Sequence, residues 1–197
     1  MTVALVDAGG ANIGSLGHAL RRLGVEARLT CDANEIRTAA HVILPGVGAA
    51  APGMARLREH GLIEVIRGLT QPVLGVCLGM QLLFEHSEEG DTDCLGILRG
   101  RLRRLGGGPR VPHMGWNGLH IVREDALLAG IDAGAYAYFV HSFAAPVGNA
   151  TLAQCEYGSA FSAVVRERNF SGAQFHPERS SAVGARLLQN FLEQRSC

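Results

Sequence analysis

The chain has 197 residues, nearly half of them hydrophobic, with 18 basic and 18 acidic side chains and no formal net charge. That balance rules out a disordered chain, and with no basic run longer than two residues it argues against nucleic acid as the main partner. No apolar stretch is long enough to cross a bilayer, and residues 1–10 carry no basic group ahead of an apolar run, so neither a membrane span nor an export signal is expected.

The length suits a single α/β domain over residues 1–197. Five cysteines, at 31, 77, 94, 155 and 197, are scattered and form no CxxC pair. A disulfide framework or structural zinc site is therefore not expected, and a reducing cytoplasm is.

In chain order, Val3 to Val6 reads as a strand running into the turn 7–12. Leu16, Ala19, Leu20 and Leu23 then repeat at helical spacing, Gly24 is placed to stop the helix, and 25–30 alternates as a second strand. A glycine turn after a first strand can cradle a dinucleotide, with Glu26 or Asp32 as ribose ligands. Here the fingerprint fails at its second glycine, which is Ala11, and a tight surface turn is the better account.

His41 to Leu44 is a third strand entering Pro45-Gly46-Val47-Gly48, where two glycines let backbone N–H groups approach a ligand, although an ordinary turn reads the same way. Residues 53–69 read as helix, and Pro72-Val73-Leu74 as a buried strand leading to Gly75-Val76-Cys77-Leu78-Gly79-Met80-Gln81, with a helix over 78–85. A cysteine between two glycines at a strand-to-helix junction has the build of a nucleophile elbow. Small flanking residues suit the tight turn, the Leu78 N–H is free to meet an oxyanion, and a helix N-terminus favours the reactive thiolate. The β-α-β order up to residue 86 predicts a parallel sheet, with ligands beyond its carboxyl ends, where Cys77 and the 45–48 turn both fall.

The second half changes character. Gly106-Gly107-Gly108-Pro109 is a loop without the Gly-Lys-Ser/Thr of a phosphate loop, and short β-rich stretches near 119–122, 136–143, 151–155 and 162–166 suggest added antiparallel strands. The only tryptophan, Trp116, lies in an expected turn as a core plug or an exposed anchor. A strand over 170–175 ends at His176-Pro177-Glu178. Pro177 pushes His176 toward extended geometry, so residues i and i+2 face one site together, which supplies the base and orienting carboxylate that a cysteine nucleophile needs. The closing helix, 181–194, offers Gly184, Leu187, Leu188, Phe191 and Leu192 for packing.

The elbow and Gln174-Phe175-His176-Pro177-Glu178 resemble the nucleophile and His-Pro-Glu segments of the class I glutamine amidotransferases. Leu44 to Gly48, Val111 to Asn117 and Tyr138 to Phe143 look like the branch of that family that serves imidazole glycerol phosphate synthase in histidine biosynthesis. The resemblance implies Cys77 as nucleophile, His176 as general base and acid, and Glu178 as its orienting group. It implies an oxyanion hole from Leu78 and the Val47-Gly48 turn, and glutamine held by Gln81 and the Ser142-Phe143 backbone. A separate cyclase of (β/α)₈ type would receive ammonia in a heterodimer, touching Asn12, Trp116 and Arg179, with no metal or cofactor. Ala8, Ala50, Phe143 and Arg179 depart from the family's usual residues, none of them in the triad. A glutaminase for an anthranilate- or guanylate-type synthase, or a non-catalytic nucleotide-binding or interaction module, are the alternatives.

Overall fold

A computed structural model describes residues 2–9, 13–107 and 110–195, so Asn12, Cys197 and part of the 106–109 loop lie outside the described residues. The first half alternates as expected: β1 (Val3–Val6), α1 (Ile13–Arg22), β2 (Ala27–Thr30), α2 (Ala33–Thr38), β3 (His41–Leu44), α3 (Ala50–Glu59), α4 (Ile63–Arg67), β4 (Val73–Val76) and α5 (Leu78–Leu82). Asp32, a candidate ribose ligand by sequence, instead caps α2, accepting from the N–H groups of Asn34 and Glu35. The single helix expected over 53–69 is two, broken at Gly61, whose φ of +65° favours glycine. The helix expected to reach residue 85 stops at Leu82, where the N–H groups of Leu83 and Phe84 turn back to the carbonyls of Met80 and Gln81.

The second half supplies β5 (His86–Ser87), β6 (Thr92–Asp93), β7 (Arg101–Arg104), β8 (His113–Gly118), β9 (His120–Ile121), β10 (Tyr136–His141), β11 (Phe143–Ala144), β12 (Thr151–Tyr157), β13 (Ser159–Glu167), β14 (Phe170–Ala173) and α6 (Ser181–Leu192). The main sheet has eight strands in the order β2-β1-β3-β4-β14-β13-β12-β9. β2, β1, β3, β4 and β14 run parallel, and β13, β12 and β9 continue antiparallel. The expected mixed α/β architecture is therefore present, with β14 returning the chain beside the elbow strand β4.

Both faces of the sheet are covered. Val3, Leu5, Ile43 and Leu74 pack with Leu16 and Leu20 of α1 and Leu187, Leu188 and Phe191 of α6. Ala4, Val6, Val42 and Val73 pack on the other face with Ile36, Leu57, Ile66 and Leu82 of α2 to α5. Strands buried on both faces read as continuous apolar runs, which is why β1, β3 and β4 were visible in the sequence. In α6 the inward face also carries Asn190, whose amide donates to the carbonyls of Leu127 and Ala129, a polar latch within a face otherwise read as apolar packing.

Candidate active site

Cys77 stands alone between β4 and α5 with φ +52° and ψ −110°, a conformation costing about 1–3 kcal/mol for a residue with a Cβ. Packing on both sides enforces it. A Cβ on Gly75 would lie 2.6 Å from the Met80 backbone, and one on Gly79 would overlap the Leu44 carbonyl oxygen. The two glycines are thus set by the close approach of α5 to the ends of β3 and β4. The Cys77 N–H donates to the Ala173 carbonyl of β14 at 2.8 Å, tying the elbow to the strand that leads to His176.

His176 leaves β14 at the same carboxyl end of the sheet, almost fully buried. Its N–H donates to the Tyr138 carbonyl at 3.0 Å, while the Ser180 hydroxyl donates to the His176 carbonyl at 2.7 Å and accepts from the Tyr138 N–H at 2.9 Å. Ser180 precedes α6, yet its hydroxyl makes no capping bond and clamps the histidine to β10 instead. The imidazole Nδ1 lies 2.9 Å from Glu178 Oε1, and the glutamate side chain is 1% exposed. The expected pairing of these two residues is present, but by another route. Pro177–Arg179 form one turn of 3₁₀ helix, which folds the carboxylate back onto the ring; extended alternation plays no part.

Burial disfavours charge on the His176 ring, but hydrogen bonds to the Cys77 sulfur and to Glu178, with the charges of both, outweigh it and push the ring up to about 10. The imidazole thus keeps its proton at neutral pH, held between sulfur and carboxylate.

In front of Cys77 lies a cavity of about 240 Å³, lined by Val47, Gly48, Leu78, Gln81, Glu89, His141, Ser142, Phe143 and His176 among others. That is below the range of about 300–1,000 Å³ typical of drug-sized ligands and fits something of amino-acid size. The Leu78 N–H, expected to be free, already donates to the Gly46 carbonyl at 3.3 Å. The reason is steric: Gly46 packs against Leu78 so closely that a Cβ on it would lie 2.9 Å from Leu78 Cβ, which puts its carbonyl within reach of that amide.

Gln81 is buried, and its amide nitrogen donates to the Phe143 carbonyl at 2.8 Å and to Gln174 Oε1 at 3.0 Å. Both its N–H bonds are spent, which leaves the amide oxygen for the cavity. The carbonyls of Ser142 and Phe143 are likewise engaged, by the Leu105 N–H and by Gln81 and His141. Both residues, expected to hold glutamine through their backbone, line the cavity with these carbonyls already bonded. Sequence reasoning missed Glu89, the one carboxylate lining the cavity among the described residues, whose Oε2 accepts the Ala50 N–H at 2.9 Å. Only the fold of β5 and β6 brings it there, and no local motif marks it.

Trp116 is in strand β8, not a turn, because β8 pairs antiparallel with β10 and sets Trp116 opposite Tyr138. Its ring, 52% exposed, meets Tyr138 edge-on at 5.8 Å. Met114 and Tyr136 are exposed on the same ribbon, and the exposed Arg179 guanidinium sits 5.2 Å from the Tyr138 ring centre. Of the sequence departures, Ala8 and Ala50 are buried in the core. Among the described residues no group of three His, Cys, Asp or Glu side chains is arranged to hold a metal ion, and no helix is long and apolar enough to cross a membrane. The four described cysteines are free thiols.

The chain is 60% identical over 193 residues to the imidazole glycerol phosphate synthase subunit HisH of Xylella fastidiosa (strain Temecula1), covering 97% of this chain and 96% of that protein. The same subunit of Xanthomonas campestris pv. campestris (strain 8004) matches at 60% over the same shares. Among solved structures, a putative GMP synthase protein from Thermoplasma acidophilum superposes with a TM-score of 0.76 over 98% of this chain and 92% of that one; at 19% identity it shares the fold alone. The model of the family "Glutamine amidotransferase class-I" matches residues 4–195, nearly the whole length. With an elbow cysteine, a buried histidine and its carboxylate at the carboxyl end of two central strands, the chain belongs to the class I glutamine amidotransferase family.

Proposed function

We propose that this chain is the glutaminase subunit of an imidazole glycerol phosphate synthase, which hydrolyses glutamine and passes the ammonia to a partner cyclase in histidine biosynthesis. It works as one domain, in the cytoplasm, in a heterodimer with a cyclase of (β/α)₈ type. The observation that carries the chemistry is the strained Cys77 facing a cavity beside a His176 that is bonded to the buried Glu178.

The Cys77 sulfur attacks the side-chain amide carbon of glutamine, and the carbonyl π pair moves onto oxygen. His176 gives its proton to the amide nitrogen, ammonia leaves, and a γ-glutamyl thioester remains. Water then attacks the thioester carbon while His176 takes its proton, and glutamate departs as the thiol is restored. Glu178 orients the ring and stabilises it when charged. The tetrahedral oxygen is met by backbone N–H groups of the Val47-Gly48 turn and of Leu78, and the last is available only once the Gly46 carbonyl gives way. The Gln81 amide oxygen faces the substrate, and the Glu89 carboxylate complements its α-ammonium group. Asn12, Trp116 and Arg179 face the cyclase, where ammonia combines with a ribulosyl nucleotide to give imidazole glycerol phosphate and an aminoimidazole carboxamide ribotide. A role in another synthase has only the shared fold behind it.

Cys77→Ala, assayed in complex with the cyclase, is expected to abolish glutamine-dependent synthesis and leave ammonia-dependent synthesis intact, because free ammonia bypasses the thioester. Retained glutamine-dependent synthesis, or loss of both activities, refutes the reading.

A further inference from the structure

A buried polar chain outside the triad runs from β8 to the nucleophile. The Asn117 amide donates to the Glu156 carbonyl and lies 3.4 Å from His113 Nε2. His113 Nδ1 is 3.1 Å from His141 Nε2, and His141 Nδ1 is 2.9 Å from the Phe143 carbonyl, which also accepts from Gln81. Gln81 continues to Gln174, whose amide nitrogen lies 3.9 Å from the Cys77 sulfur.

The direction of every bond in the chain is determined. A carbonyl only accepts, so His141 carries its hydrogen on Nδ1 and presents a bare Nε2. His113 must then carry its hydrogen on Nδ1, and its Nε2 accepts from Asn117. Both rings are uncharged: burial pushes His113 and His141 down to about 4, with His176 adding to the effect on His141. Aromatic packing fixes the planes, with His113 stacked on Tyr157 at 4.0 Å and His141 against Phe161 at 4.9 Å.

We propose that His113 and His141 form a neutral, one-way hydrogen-bond relay that sets the orientation of the Gln81 amide, making them positioning residues for glutamine. The inference rests on the cavity being the glutamine site. The Phe143 carbonyl can hold the Gln81 nitrogen in place only if it is itself held, and the His141 donor does that. Released, the 142–143 segment is held by the short β11 and by the Leu105 N–H on the Ser142 carbonyl, neither of which replaces the side-chain donor on the Phe143 carbonyl, and the Gln81 oxygen loses its fixed aim into the cavity. His113 does not line the cavity; of the side chains its ring bonds or stacks against, His141 is the one that does.

The test measures KM and kcat for glutamine in the assembled complex, with the melting temperature of each free variant. His113→Phe is expected to raise KM about tenfold, the scale of one buried hydrogen bond, with His113→Gln, which keeps a donor and an acceptor, closer to the parent. The double variant His113→Phe/His141→Phe leaves no unpaired ring nitrogen, so it is expected to recover melting temperature yet keep the raised KM. A KM within twofold of the parent in His113→Phe, or restored in the double variant, overturns the relay. No glutamine turnover by the unaltered complex overturns the function reading and the relay with it.

Discussion

Replacing Trp116 by Ala separates a docking residue from a core residue, and the structure sets the magnitudes. The ring is 52% exposed, and its buried part rests edge-on against Tyr138. A tryptophan contributes about 150–250 Å² when fully buried, so about 100 Å² remains for a partner to cover, worth about 2.5 kcal/mol at about 25 cal/mol per Å². The complex is therefore expected to dissociate roughly 50- to 100-fold more readily. The free protein loses the edge-on aromatic pair, about 0.5–1.5 kcal/mol, and the burial of the covered half of the ring, about 2.5 kcal/mol, which together at this size lower its melting temperature by about 6–16 °C. Calorimetric titration with the cyclase and thermal unfolding of the free variant read the two quantities independently. A dissociation constant within threefold of the parent, whatever the fall in the free protein, refutes the assignment of this face to the partner.

Within the triad, His176→Ala is expected to cost as much glutamine turnover as Cys77→Ala, because the members act as a unit, while Glu178→Gln costs less; equal losses in kcat would mean that Glu178 does more than orient. Gly79→Ala drives a Cβ into the Leu44 carbonyl, so urea unfolding should show a loss of about 3 kcal/mol or more, and a near-neutral result would contradict the packing described for the elbow. Stability should also depend on pH in two windows. His113 and His141 ordinarily take up protons near 6.5 but resist until about 4 when folded, so the unfolded chain binds more protons between those values and stability falls as pH drops through that range. His176 is the reverse: its contribution is complete below about 6.5 and is lost as pH rises through about 10. Melting temperatures across this range test both limbs, with the double phenylalanine variant flattening the acid side and Glu178→Gln the alkaline side.

The elements legible in the sequence are those whose signal is local. β1, β3 and β4 are apolar runs because both their faces are covered, the helices repeat at 3.6 residues, and the two elbow glycines mark a turn where a side chain has no room. Cys77, His176 and Glu178 were legible as candidates for the same reason, since an elbow and a His-Pro-Glu tripeptide are each contiguous. What depends on segments distant in sequence was decided only by the tertiary structure. The 3₁₀ turn carrying Glu178 back to His176 is held by Ser180 reaching across to β10. The Gly46 carbonyl occupies the Leu78 amide because β3 packs against α5, and Glu89 reaches the cavity through the short, polar strands β5 and β6, which carry no periodic signal. Trp116 looked like a turn residue between glycine and asparagine; pairing with Tyr138 of β10 makes it a strand position facing outward. Residue types and local spacing determine which groups are available, and the long-range pairings of β10 and β14 determine which of them meet.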